Sequence, residues 1–94
     1  MDRTAYIDKL AAQLKQWDAE LAKLEAKAEE AKADAKADYQ KQIEDLRDKK
    51  QAAQERLEEV KQASEGAWKE IKSGAEEAFD IMKNALQTAI SKFK

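Results

Sequence analysis

The sequence contains no cysteine, no histidine and no proline, and it has only two glycines among 94 residues. The absence of cysteine excludes disulfide bonds, thiol catalysis and most structural zinc sites. The sequence also lacks a Gly-rich phosphate loop, and no serine has a plausible general base beside it. We therefore expect no catalytic residues, no metal site, no cofactor and no small-molecule substrate, and we predict that the protein is not an enzyme.

Long hydrophobic runs are also missing. A membrane-spanning helix needs about 18 or more predominantly apolar residues in succession, and no such stretch occurs in the chain. The N-terminal segment lacks the continuous apolar core of a secretory signal. We therefore expect a cytoplasmic protein.

Neither sign of charge dominates the chain. It carries 18 basic and 20 acidic residues, for a net charge of -2. Both signs are spread along its length, with 5 basic and 7 acidic residues in 1–30, 8 and 8 in 31–62, and 5 and 5 in 63–94. No part is basic enough to attract a polyphosphate by its field, so we expect no nucleic-acid partner.

What remains is a composition typical of helices. Charged residues make up 40% of the chain and hydrophobic residues 43%, and much of the hydrophobic share is alanine. Abundant Ala, Glu, Lys, Leu and Gln with almost no helix breakers is the signature of a coiled coil or long helix. We predict an all-α fold in a single helical domain that covers residues 1–94.

Apolar residues recur at alternating spacings of three and four, which is the heptad repeat of a coiled coil. In the first third this pattern runs without a slip from Ile7 to Leu24 and continues through Ala28, Ala31 and Ala35. Asp2 or Thr4 is expected to cap the start of this helix. The predicted helix-packing positions, called the seam below, are Ile7, Leu10, Leu14, Trp17, Leu21, Leu24, Tyr39, Ile43, Leu46, Leu57, Val60, Trp68, Ile71, Phe79, Met82, Leu86, Ile90 and Phe93.

The register of the seam slips by one residue between Ala35 and Tyr39. Such a slip is a stutter, which locally unwinds a supercoil without ending the helix. Residues 31–40 contain no Gly, Pro, Asn or Ser, so we predict one long heptad helix over residues 1–62. The alternative is a tight turn at 34–38, where an aspartate would cap a second helix.

The two glycines fall where a bulkier amphipathic helix over residues 66–93 is expected to begin. Gly66 and Gly74 are the candidate hinge, because each weakens a helix by roughly 1 kcal/mol relative to alanine. Ser64 and Ser73 are candidate caps, the latter through the capping-box pattern that it forms with Glu76. We expect Gly66 to point away from the core, and we predict a bend within residues 63–74, placed at Gly66.

Three arrangements would cover the apolar stripe of these helices. The long helix pairs with a second copy, or residues 66–93 fold back at the glycines, or the chain turns twice into an antiparallel three-helix bundle of about 4–33, 38–62 and 66–93. We favour long helices in an oligomeric coiled coil, because a turn near 34–38 has no support in the sequence. Lys50 lies on the stripe, where it can fix register or oligomer number, or extend its ammonium to water.

Two binding functions fit these features. The leading interpretation is a non-enzymatic, self-associating coiled coil with a structural or protein-interaction role, whose partner is a second copy or another helix. The alternative is a peripheral membrane-surface or stress-protective protein, because the large apolar residues of 67–93 lie on one side, as in interfacial helices. The five acidic residues of that third weaken the membrane interpretation.

Two stretches carry a resemblance to known proteins, "AQLKQWDAELAKLEAKAEEAKADAKADYQKQIEDLR" and "ASEGAWKEIKSGAEEAF". Together they resemble small stand-alone bacterial coiled-coil proteins of unknown function, which implies a bacterial cytosolic protein and supplies no site residues. The piece "AEEAKADAKAD" is similar to the 11-residue repeats of group 3 late-embryogenesis-abundant proteins. The C-terminal part is similar to exchangeable apolipoprotein helices.

Overall fold

The computed structural model describes residues 2–93, so the first and last residues of the predicted 1–94 domain lie outside the described part. Within residues 2–93 the chain forms three helices and no strand: α1 (Arg3–Glu30), α2 (Ala33–Gln62) and α3 (Ala67–Lys92). The all-α prediction is confirmed. The three helices lie side by side as a bundle with extents of 51 × 18 × 17 Å.

Helix α1 begins at the cap that the sequence indicated. Asp2 has extended backbone angles, and its Oδ1 accepts a hydrogen bond of 2.8 Å from the Ala5 amide. This bond satisfies one of the amides that a first helical turn leaves without an intrahelical partner. Of the two predicted caps, Asp2 is therefore the one used.

The prediction of one uninterrupted helix over residues 1–62 is wrong in this structure. Helix α1 ends at Glu30, and Ala31 and Lys32 are extended, with φ/ψ of -72°/154° and -66°/155°. The chain turns there because folding α1 back on α2 buries the apolar stripes of both helices against each other. Helix α2 starts at Ala33, before the turn predicted at 34–38, and the slip in the seam register follows the turn.

The connection between α2 and α3 is built from local capping interactions. The Ser64 hydroxyl oxygen accepts a hydrogen bond of 3.2 Å from the Ala67 amide, and the Trp68 amide donates to the Ser64 carbonyl at 3.0 Å. Gly66 is exposed and occupies the turn, as expected. Gly74, in contrast, lies inside α3, where the backbone is unbroken, and Ser73 beside it does not cap a helix.

Contacts between side chains fix the directions of the helices. The ion pairs Asp18–Lys50 and Glu25–Arg47 join α1 to α2 in antiparallel order. The Tyr39 and Phe93 rings, with centroids 4.0 Å apart, place the start of α2 beside the end of α3. Helices α1 and α3 run parallel and contact each other through aromatic pairs, Tyr6–Trp68 with centroids at 6.0 Å and Trp17–Phe79 at 5.2 Å.

The core combines large side chains with alanines. Leu46, Val60 and Met82 are the largest side chains that are almost completely inaccessible to solvent, and Ala53 and Ala75 are 0% exposed. Small residues let neighbouring helices approach while the large ones fill the remaining space, which gives native packing density. Among the described residues, no polar or charged residue is buried.

Truncating the core should destabilise the bundle strongly. Leu46→Ala, at a side chain that is 2% exposed, should lower the free energy of unfolding by about 2–5 kcal/mol, because it removes buried apolar atoms and leaves a cavity. The control Ile81→Ala, at a side chain that is 47% exposed, should change it by less than about 0.5 kcal/mol. Urea denaturation followed by circular dichroism measures both. Equal losses in the two variants would contradict the core assignment.

Both glycines should gain stability on replacement by alanine. A Cβ at position 74 meets no atom within 4 Å, so Gly74→Ala should stabilise α3 by up to about 1 kcal/mol through helix propensity alone. Gly66 also has open space, and its φ/ψ of -78°/-39° are helical, so Gly66→Ala should stabilise the protein by about 0.4–1 kcal/mol by reducing the conformational freedom of the unfolded chain. Thermal and urea denaturation of the two single variants measure these gains, and a loss of stability at either position would contradict the conformation assigned to it.

Candidate interaction surfaces

The seam residues all lie in the core or against it. Most are buried, and the partly buried ones that pack against the core are Ile7, Leu14, Tyr39, Ile71 and Ile90. The structure therefore brings all predicted packing positions into one cluster. It also buries Tyr6, 4% exposed, which the seam omitted. Tyr6 lies four residues before Leu10 and eleven before Trp17, which is a helical spacing, so the apolar periodicity could have placed Tyr6 in the seam.

Lys50 occupies its stripe position as one half of an ion pair between helices. Its side chain is 24% exposed, and its ammonium donates to the Asp18 carboxylate of α1. The aliphatic stem thus lies along the helix interface while the charge meets a partner at the surface. The sequence left two roles open for Lys50, to fix register or oligomer number or to extend its ammonium to water, and neither included the pairing with Asp18.

An open groove runs along the outer side of α1 and α2 and is called the α1–α2 groove below. Its central part has a volume of about 750 Å³, and parts of about 490 and 520 Å³ adjoin it towards either end. Adjacent parts share lining residues, Asp18 and Lys50 on one side and Glu25 and Arg47 on the other. The apolar lining residues are Leu14, Ala22 and the outer edges of four core residues that are only 2–6% exposed, Leu21, Ala28, Ile43 and Leu57; together they are called the floor.

The rim of the α1–α2 groove carries both signs of charge. Two ion pairs cross it, Asp18–Lys50 and Glu25–Arg47, and Glu29 lies 3.8 Å from the Lys36 ammonium near the turn. Exposed pairs of this kind contribute little stability, about 0–1 kcal/mol each. A mixed rim over an apolar floor suits another amphipathic helix and gives no net field for a polyanion.

A smaller groove between α2 and α3 contains an exposed apolar side chain. Among the described residues, Ile81 is the one large hydrophobic residue that is exposed, at 47%. It lines a groove of about 280 Å³ together with Ala52, Gly74 and Ala78, and with Lys49, Arg56 and Glu77 at the edges. In the described residues no ion pair joins α2 to α3, so this interface rests on apolar packing.

Tyr6 is the centre of a small cluster between α1 and α3. The Lys72 ammonium lies 5.1 Å from the centroid of the Tyr6 ring and 6.0 Å from that of Trp68, within the range of cation–π attraction. The Tyr6 hydroxyl donates a long hydrogen bond of 3.4 Å to the Lys72 carbonyl. Burial raises the pKa of Tyr6, and the carboxylates Glu76 and Asp80 raise it further.

Carboxylates outside this cluster lie on the polar helix faces. Within residues 2–93, no three acidic residues are grouped as ligands for a metal ion. Across the same range, no helix combines the length and the apolar character required to cross a membrane.

Comparisons with known proteins gave no match: no family model, no curated protein and no solved structure was found to be similar to this chain. The resemblances drawn from the sequence remain predictions.

The raised pKa of Tyr6 makes stability depend on alkaline pH. In the unfolded chain the phenol ionises near pH 10, whereas in the folded chain it holds its proton to a higher pH. The unfolded state therefore binds fewer protons above about pH 10, and stability falls as the pH rises through this range. Tyr6→Phe should reduce this fall without abolishing folding.

Urea denaturation at about pH 9 and about pH 11 measures the effect in the natural protein and in Tyr6→Phe. Titration of the tyrosine absorbance, native and in urea, provides the control. Tyr6→Phe removes one phenol from both curves, and in the native curve the lost amplitude should lie above pH 10. An identical loss of stability in both proteins would refute the assignment.

Proposed function

We propose that this protein is a non-enzymatic helical module that self-associates or binds a partner helix, in a structural or protein-interaction role. The observation that carries the proposal is the α1–α2 groove, with its apolar floor and its rim of both charges. Helical partners recognise such grooves by laying an apolar face into them. A second copy of the chain carries helices of the same pattern.

The apolar face of α3 packs inside the bundle, which explains its amphipathic character without membrane binding. The bulky apolar residues that suggested an interfacial helix include Trp68, Phe79, Met82 and Leu86, and all four are buried in the bundle. Placing them in a lipid surface would require α3 to leave α1 and α2. Because α3 would lose its packing on α1 and α2, the membrane-surface or stress-protective role is the weaker candidate.

Sedimentation equilibrium combined with circular dichroism on the same sample tests the proposed function. A self-associating helical protein should show high helicity in dilute buffer and a concentration-dependent mass above the 10.7 kDa of one chain. A folded protein that stays at the mass of one chain over the whole concentration range would refute self-association.

Vesicle flotation tests the weaker candidate, the membrane-surface role. Anionic vesicles should leave both the helicity and the sedimentation of the protein unchanged. A large gain in helicity with flotation of the protein would favour the membrane-surface role instead.

A further inference from the structure

The two turns of the bundle are held very differently. The turn between α2 and α3 contains a side-chain cap at Ser64, and Arg3 of α1 donates to its Ala63 carbonyl and pairs with Glu65 at 3.2 Å. The turn between α1 and α2 consists of Ala31 and Lys32 alone. Lys32 occupies the N-cap position of α2 and makes no side-chain hydrogen bond there.

The residues around the α1–α2 turn favour a helix that continues. Residues 24–41 contain leucine, alanine, glutamate, lysine, aspartate, tyrosine and glutamine, and no Gly, Pro, Asn or Ser. Most of these are strong helix formers, and the chain lacks any residue whose preferred conformation is a turn. Apart from the exposed ion pair of Glu29 with Lys36, 3.8 Å apart, the packing of α1 on its neighbours is what keeps Ala31 and Lys32 extended.

We propose that the protein self-associates by exchanging α1 between two copies, with residues 31–32 straightening into the helix. This inference rests on the proposed self-association and specifies its partner, a second copy, and its interface. In the exchanged dimer, α1 of each copy packs on α2 and α3 of the other. Domain swapping is a low-cost route to a dimer because it reuses contacts that the single chain already makes.

The contacts that α1 makes with the rest of the bundle transfer directly to such a dimer. The aromatic pairs Tyr6–Trp68 and Trp17–Phe79 and the ion pairs Asp18–Lys50 and Glu25–Arg47 re-form between chains. Because α1 and α2 are antiparallel in one bundle, the two straightened helices lie antiparallel about a twofold axis near residues 34–36, the midpoints of the pairs Asp18–Lys50 and Glu25–Arg47. Each spans residues 3–62, about 90 Å at 1.5 Å per residue, against the 51 Å of one bundle.

The exchange also adds something that the closed chain lacks. Straightening gives the amides and carbonyls around Ala31 and Lys32 intrahelical partners, which helix ends do not have. Association costs translational and rotational freedom, so the balance between one chain and two depends on protein concentration.

Ala33→Pro distinguishes the two forms. Proline is favoured at the first position of a helix, which Ala33 occupies in α2. The preceding Lys32 already has the extended angles that proline requires of its neighbour. Inside a continuous helix, proline is disfavoured relative to alanine by more than about 100-fold. The exchanged dimer contains two such positions, so its dissociation constant should rise by about 10⁴-fold.

Sedimentation equilibrium of three proteins decides the question. Exchange predicts a dimer for the natural chain and a folded single chain for Ala33→Pro. It also predicts a dimer for the control Ile81→Glu, in which a charged side chain replaces the exposed isoleucine of the groove between α2 and α3. A dimer that survives Ala33→Pro and dissociates with Ile81→Glu overturns the exchange while self-association stands. A natural chain that never dimerises overturns both, and circular dichroism verifies that each variant folds.

A cross-link locates the interface independently of the proline. The chain has no cysteine, so Asp18→Cys with Lys50→Cys introduces one facing pair of thiols across the α1–α2 groove. A short thiol-to-thiol cross-linker should join two chains in the exchanged dimer, giving a band of twice the chain mass on a denaturing gel. Linkage within one chain in a sample that sediments as a dimer would overturn the exchange.

Discussion

The fold depends on the mutual covering of three narrow apolar stripes. The hydrophobic share of this chain consists largely of alanine, and aromatic residues make up only 6%. No single helix presents enough large side chains to be stable alone, because an isolated helix gains most of its stability from packing an apolar face. Each stripe is covered only when all three helices are present, so the helices and the core form together.

Alanine determines how this covering is achieved. Ala53 on α2 and Ala75 on α3 are 0% exposed, and small residues at an interface let the helix axes lie close. Helix α1 contacts α3 through the aromatic pairs Tyr6–Trp68 and Trp17–Phe79 instead. The ion pairs contribute less to the stability of the bundle than the core does. An exposed pair contributes about 0–1 kcal/mol, whereas truncating a buried leucine to alanine costs about 2–5 kcal/mol.

The sequence predicted the core far better than the path of the chain. Periodicity of three and four located the packing positions because a buried helical face has to repeat that way, and even the omitted Tyr6 fits the pattern. The turn at Ala31 and Lys32 was predicted only as the alternative, and at 34–38, because no residue there prefers a turn. The Ser64 cap and Gly66 did mark the second turn, which has a local cause. The interhelical ion pair of Lys50 with Asp18 could not be predicted without knowing which helices are neighbours.

The failure to predict the first turn at its observed position has a physical reason. A turn with little local support is held mainly by the contacts of the helices that it connects. In the proposed exchange, α1 of a second copy would make the same contacts. The apolar pattern of residues 28–43, with its one-residue slip, and the extended backbone at 31–32 would then be two ways of covering one set of apolar faces. Within one chain the packing partner is always at hand, which favours the closed bundle at low concentration. Between chains the straightened helix would gain the hydrogen bonds that helix ends lack, which is why we propose α1 as the helix that is exchanged.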